Sequence, residues 1–155
     1  MKRSGVIAAG LVVAAIVLVA GGRAAPASSH AISHTCSATD RQFISAAHLN
    51  MESVGLVGAS YLYGDAKPAE VILAANDADL ALANTSPRDG SLTTARKLMR
   101  AMFVEYAGAV RLHAKGKDAA AHMYRAYSLA NFAHGVLEQA QPGLARHGCN
   151  IDDLL

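Results

Sequence analysis

The chain has few aromatic residues. It contains no tryptophan, three phenylalanines and five tyrosines, so that aromatic residues make up 5% of it. A core of alanine, glycine, leucine and methionine brings backbones close together and leaves little room for the usual apolar ligand cavity. Gly55, Gly108 and Gly135 fall at similar heights if each helix rises 1.5 Å per residue. We therefore expect a narrow waist where these glycines let the helices approach.

The chain also lacks the short motifs that identify common enzymes. It has no glycine-rich phosphate loop, no His-Glu-x-x-His sequence and no Gly-x-Ser-x-Gly sequence. His113 and His122 are expected near one helix turn, but neither stands beside a serine or carboxylate at a spacing typical of a nucleophile and its base. A polar rim is the expected role of both residues. The sequence predicts a protein that is not an enzyme.

Cysteine is almost absent, and the two cysteines present allow a single pairing. Cys36 precedes the first helical pattern and Cys149 follows the last one. An even number of cysteines in an exported chain favours a disulfide. The two ends of the helical part must then meet, which an even number of antiparallel helices achieves. The predicted fold is all-α: an antiparallel up-down-up-down four-helix bundle closed by a terminal disulfide and preceded by a signal peptide.

The first residues have the order of a secretory signal peptide. Lys2 and Arg3 are followed by an uncharged apolar run over residues 6–20 and then by small residues. As a helix the run would extend about 22 Å, which is short of the roughly 30 Å hydrocarbon core, so a retained membrane anchor is the alternative. Cleavage is predicted after Ala27, at Ala25-Pro26-Ala27, and Ser29-His30-Ala31 is a second candidate site. The predicted organisation is a signal peptide (1–27), a short linker (28–35), the bundle (36–149) and a C-terminal tail (150–155).

Cleavage would change the charge of the chain. Removing Lys2, Arg3 and Arg23 leaves 11 basic against 12 acidic residues, a net charge of −1. A nearly neutral chain gives no electrostatic reason to expect nucleic acid or an anionic membrane as a partner. We expect an unknown protein partner, no stable membrane span, and a secreted, periplasmic or cell-envelope location. The abundance of alanine and the excess of arginine over lysine suggest a bacterial source.

Four segments carry apolar residues at alternating spacings of three and four, the pattern of helices that face a core. Thr39 and Gln42 resemble a capping box at the start of the first helix, and Pro68 suits the first turn of the second. No segment shows the alternating pattern of a strand. The predicted helices run from Thr39 to Gly64, from Pro68 to Asn84, from Ser91 to Gly116, and from about Asp118 to Gly143, with a bent final turn before Cys149 as the alternative end of the last helix.

One set of residues offers a metal site as the alternative function. His48 and Glu52 are four residues apart on the first helix, and His134 and Glu138 are four apart on the last. On neighbouring antiparallel helices His48 would lie opposite Glu138, and Glu52 opposite His134. Flanking salt bridges are the competing interpretation, because di-iron bundles use Glu-x-x-His motifs and this chain has none. The site would hold a divalent transition metal, or haem with help from Met99 and Met102.

A second histidine arrangement lies beside the cysteines. His34 stands two residues before Cys36, and His147 stands two residues before Cys149. Reduced thiols in this arrangement could bind zinc or copper. Export favours the disulfide instead. The sequence therefore favours an exported, non-enzymatic interaction or structural module without a cofactor, and a metal- or haem-binding bundle is the alternative.

Overall fold

The computed structural model describes residues 36–155, so the predicted signal peptide and linker lie outside the described residues. This part of the chain contains four α-helices and no strand, which confirms the all-α fold class. A short 3-10 helix, Asp152–Leu154, follows the last α-helix. The four helices are α1 (Ala38–Tyr63), α2 (Pro68–Ala83), α3 (Gly90–His113) and α4 (Ala120–Arg146).

The start of α1 differs from the predicted capping box. The N-cap is Ser37, whose hydroxyl oxygen accepts the Asp40 backbone N–H at 3.0 Å. Thr39 already lies inside the helix, so the predicted cap at Thr39 and Gln42 is wrong. Serine is at least as good an N-cap as threonine. Because Ser37 precedes Thr39 and its hydroxyl already accepts a backbone N–H of the first turn, the helix starts after Ser37. The other end is as predicted: Gly64 has a positive φ of 85°, which glycine adopts without strain.

The later helices begin and end close to the predicted positions. Pro68 occupies the first turn of α2, as predicted. Asp89 caps α3 by accepting the backbone N–H groups of Ser91 and Leu92 at 2.8 and 3.0 Å. Helix α4 continues through Pro142 to Arg146, so the helix has the final turn before Cys149 that was the alternative prediction. Proline has no backbone N–H, so the Glu138 carbonyl loses its usual helical hydrogen bond. Pro142 and Glu138 are both exposed, so water can bind this carbonyl instead.

Each helix packs against the next one along the chain, and α3 contacts the other three helices. In contrast, α1 and α4 make no extended contact, while the C-terminal 3-10 helix packs against α1. The residues predicted as a tail are therefore part of the fold: Ile151 and Leu154 are buried. The side-chain amide of Gln141 donates to Asp152 at 2.9 Å and joins this segment to α4.

The predicted glycine waist is wrong. A Cβ atom added at Gly55 or Gly135 would meet no atom within 4 Å, so no helix approaches there. The close approaches occur at Gly58, where such an atom would lie 2.7 Å from the Tyr106 hydroxyl oxygen, and at Gly108. Glycines at the same height along a bundle therefore do not meet when they lie on different faces of their helices.

Candidate functional site

The disulfide predicted from the cysteine count is present. Cys36 and Cys149 are bonded, with their Cα atoms 4.8 Å apart, although they are separated by 113 positions in the sequence. Both residues are buried, and the Arg41 guanidinium donates to the Cys36 carbonyl. The bond joins the segment just before α1 to the segment after α4 and so connects the ends of the helical part.

A buried carboxylate lies beside this bond. Asp40 Oδ1 accepts the backbone N–H groups of Arg88 at 2.7 Å and Asp89 at 3.1 Å, and its Oδ2 accepts the Ser37 hydroxyl at 2.6 Å. Burial raises the pKa of Asp40, but these hydrogen bonds and the Arg88 charge outweigh it, so that the pKa lies below its ordinary value. Asp40 thereby joins the start of α1 to the loop between α2 and α3.

Two shallow depressions flank the disulfide. One, of about 260 Å³, is lined by residues that include Asp40, Arg88 and His147, and the other, of about 390 Å³, lies over the segment from Gly148 to Asp152. Typical ligand pockets enclose about 300–1,000 Å³ and bury most of the ligand. We assign no ligand to either depression.

The predicted metal ligands lie on the surface. His48 Nε2 is 3.9 Å from Glu52 Oε2, and His48 Nδ1 lies 3.3 Å from the Asp153 carbonyl oxygen. His134 and Glu138 are exposed on α4. Within residues 36–155, no group of three or more His, Cys, Asp or Glu side chains is placed to hold a metal ion. Metal binding at these positions stays a prediction.

The His-x-Cys arrangement has a different outcome. Both cysteine sulfurs are used in the disulfide, so the reduced thiols that this site requires are not present in the structure. His34 lies outside the described residues. His147 is exposed and lines the smaller of the two depressions.

An ionic cluster between α3 and α4 was not predicted from the sequence. Glu105 Oε2 lies 2.6 Å from His122 Nδ1 and 2.9 Å from Arg125 Nε. Burial raises the pKa of Glu105, but hydrogen bonds from Arg125 and His122 outweigh it and hold the pKa below its ordinary value. Gly108 leaves room for the imidazole, because an added Cβ would lie 3.1 Å from His122 Nδ1.

The cluster can join two helices, but sequence reasoning had only a weak signal for it. His122 and Arg125 are three residues apart on α4 and therefore share a face. Glu105 is on a different helix, and which faces of α3 and α4 meet is decided by packing. The polar rim predicted for His122 is therefore a specific contact with Glu105. His113 instead packs its ring edge-on against Tyr61, with the ring centres 6.3 Å apart.

Several large apolar side chains are exposed on the surface of the helices. Ten large apolar side chains of residues 36–155 are exposed, and six of them lie on α1 and α2. On α1 these are Leu49, Leu56 and Tyr63, with exposed fractions of 59%, 64% and 85%, and also Leu62, with 44%. On α2 they are Leu73 and Leu80, each 60% exposed. We call Leu49, Leu56 and Tyr63 of α1 the outer apolar face.

The outer apolar face points away from the core. Leu49, Leu56 and Tyr63 are separated by seven residues, which places them on one side of α1. The fully buried residues of that helix, such as Phe43 and Ala47, lie on the opposite side. The core stripe was visible in the sequence, but leucines outside it were not assigned a role. The repeat of large apolar residues every seven positions, outside the core stripe, was the signal in the sequence that could have revealed this face.

Comparisons with known proteins give no family for the chain: no family model, curated protein or solved structure matches it. Within residues 36–155, no helix is both long and apolar enough to cross a membrane.

Proposed function

We propose that the protein is an exported, non-enzymatic interaction module of the cell envelope or extracellular space, and that it acts through the outer apolar face. The observation that carries this proposal is the exposure of Leu49, Leu56 and Tyr63 on the side of α1 opposite the core. Single exposed apolar residues are ordinary, whereas a contiguous patch of several hundred Å² usually marks a contact surface.

The low charge of α1 beyond its first turn supports a contact role. Glu52 is the only Asp, Glu, Lys or Arg between Gln42 and Gly64. A helix face that only meets water usually carries several charged residues. Protein interfaces, by comparison, are depleted of charge at their centre and enriched in aromatic residues.

The proposed topology is up-down-up-down. The connections between successive helices are residues 64–67, 84–89 and 114–119. Because a chain extends at most about 3.6 Å per residue, these connections span at most about 14 to 22 Å. The shortest helix, α2, has 16 residues and is therefore about 24 Å long. A parallel neighbour would require a connection at least as long as a helix, so the short connections support antiparallel neighbours.

Export is proposed from the leader and the disulfide together. The order of charged, apolar and small residues over 1–27 is typical of a signal peptide. Disulfides persist in oxidising compartments and are rare in reducing ones. The bond between Cys36 and Cys149 fits a secreted, periplasmic or envelope location.

The proposed function is tested by photo-crosslinking in the organism that makes the protein. A photoreactive amino acid at Leu56 is expected to form a discrete protein adduct, because this position is 64% exposed on the outer apolar face. The same amino acid at Lys97, an exposed position on α3, is the matched control. Equal or absent adducts at both positions would contradict the proposal.

The metal- or haem-binding alternative is tested separately. Metal analysis and an absorption spectrum of the purified protein would show a bound ion or haem. If that alternative is correct, His48→Ala and His134→Ala should each weaken binding, because a lost imidazole is not replaced without cost. The proposed function expects no stoichiometric metal and no change in Tm on adding zinc or copper.

A further inference from the structure

We propose that the C-terminal segment, residues 150–155, is a gate over the disulfide, so that a thiol reduces the bond only after this segment has lifted. The inference goes beyond the proposed function and does not depend on the outer apolar face. It begins from the position of the segment, which follows Cys149 directly in the chain. Cys36 and Cys149 are only 5% and 4% exposed, so the bond itself is covered.

The C-terminal segment packs into the same buried cluster as the disulfide. Ile151 and Leu154 are 1% and 5% exposed, and they belong to one cluster of core side chains with both cysteines. A 3-10 helix has three residues per turn, so these two residues lie on the same side of it. Asp152 and Asp153, between them, are exposed. Two apolar side chains therefore hold the segment beside the bond.

The C-terminal segment is attached more weakly than the four helices. Gln141 Nε2 donates to Asp152 at 2.9 Å, and His48 Nδ1 lies 3.3 Å from the Asp153 carbonyl oxygen. Both contacts are exposed, so water competes for the same groups and each contributes little. A short terminal segment of this kind opens locally far more often than the whole fold unfolds.

The two depressions beside the disulfide differ in what must move before a thiol can reach the bond. On the side of the smaller one, the backbone N–H groups of Arg88 and Asp89 are bonded to the buried Asp40 carboxylate. Hydrogen bonds to an ionised group are the stronger ones, so this side resists opening. The larger depression lies over residues 148–152 and is lined by Cys149. Lifting the C-terminal segment therefore exposes Cys149 first.

The reaction is a thiol–disulfide exchange with an external dithiol. One thiolate of the dithiol attacks Cys149 Sγ, forms a mixed disulfide and releases Cys36 as a thiolate, which takes up a proton. The second thiol of the reagent loses its proton and attacks the mixed disulfide, which releases Cys149. The dithiol becomes a cyclic disulfide, and two electrons and two protons pass to the protein.

The gate determines the rate of this exchange. When opening and closing are fast compared with the attack, the observed rate is the chemical rate multiplied by the fraction of molecules in which the segment is lifted. A change that weakens the packing of the segment therefore speeds reduction while the four helices stay folded. A change that weakens a distant part of the core leaves the rate almost unaltered.

The first test is reduction of the oxidised mature chain by dithiothreitol at pH 8, followed by alkylation of the two cysteines at timed intervals. Leu154→Ala should speed reduction at least about tenfold, because a buried leucine replaced by alanine weakens the packing by more than that factor. Val71→Ala is the matched control: Val71 is buried in the first turn of α2, beyond the far end of α1, which is about 39 Å long. Its rate should change by less than about twofold.

The second test separates opening of the segment from unfolding of the whole chain. Lifting six residues exposes little surface, so the wild-type reduction rate should rise far less steeply with urea than global unfolding does. A chain that ends at Asn150 lacks the gate. While it remains folded, as checked by circular dichroism, it should be reduced at least about tenfold faster than the wild type and almost independently of urea.

Equal reduction rates for the wild type, Leu154→Ala and the shortened chain would overturn the gate, because the bond would then react by another route. Equal acceleration by Val71→Ala and Leu154→Ala, or a urea dependence as steep as that of global unfolding, would also overturn it, because the bond would then react in the unfolded chain. Neither test involves the outer apolar face, so failure of the gate leaves the proposed function unaffected.

Discussion

The buried Asp40 offers the most informative test of how the fold is held together. Replacing it with alanine removes the acceptor for the backbone N–H groups of Arg88 and Asp89 and for the Ser37 hydroxyl. Leaving a buried donor without a partner costs about 1–3 kcal/mol, and less where water can enter. The loop is only partly buried, so we expect Asp40→Ala to lower the free energy of unfolding by roughly 3 kcal/mol.

Asparagine is the informative second variant. Asp40→Asn keeps one oxygen for the two backbone N–H groups and loses mainly the Ser37 hydrogen bond, so the expected loss is about 1 kcal/mol. Urea unfolding measures both variants. Asp65→Ala, in the exposed turn after α1, is the control and should change stability by less than about 0.5 kcal/mol. If Asp40→Ala were as stable as this control, the carboxylate would not hold the loop.

The same residue predicts a dependence on pH. The pKa of Asp40 in the folded protein lies below its ordinary value of 3.8. Between these two values the unfolded chain binds more protons than the folded chain, so acid favours unfolding there. The contribution is complete above about pH 4 to 5 and is lost as the pH falls through the folded-state value. Asp40→Asn should therefore lose less stability than the wild type on acidification. Parallel pH profiles would contradict this reasoning.

Three further perturbations follow from the packing. Replacing Cys36 and Cys149 with serine should lower Tm by more than about 10 °C but leave the helical circular dichroism, because closing a chain this long contributes roughly 4 to 5 kcal/mol. Gly55→Ala should raise stability by about 0.5–1 kcal/mol, whereas Gly58→Ala should lower it, since its added methyl would meet a tyrosine hydroxyl of α3. Truncation after Asn150 should lower Tm by about 10 °C or more, because it removes two buried apolar side chains. Equal effects of the two glycine variants, or a truncated chain with the wild-type Tm, would contradict the described packing.

Much of the fold was accessible from local sequence patterns. The spacing of apolar residues predicted four helices, and Pro68 and Gly64 marked two of their ends correctly, because these residues act through their own backbone preferences. The disulfide followed from having only two cysteines. The helices and their ends depend on residues that are close in sequence. The disulfide could be predicted because two cysteines can pair in only one way.

The features that were missed depend on how the helices meet. Asp40 was not predicted to bind the loop at Arg88, since nothing local connects a residue of α1 with a loop 48 positions away. The buried role of Ile151 was missed because three apolar residues and three polar ones at the end of the chain resemble a tail. Glu105 and His122 likewise meet only after α3 and α4 have packed.

The central claim is that an exported chain is closed by its disulfide. The most direct test is the intact mass of the protein recovered outside the cytoplasm, measured without reduction before and after treatment with a thiol-alkylating reagent. We expect a chain that begins at Ser28, is two hydrogens lighter than its sequence requires, and takes up no alkyl group. A mass that includes residues 1–23, or uptake of two alkyl groups at Cys36 and Cys149, would contradict the account.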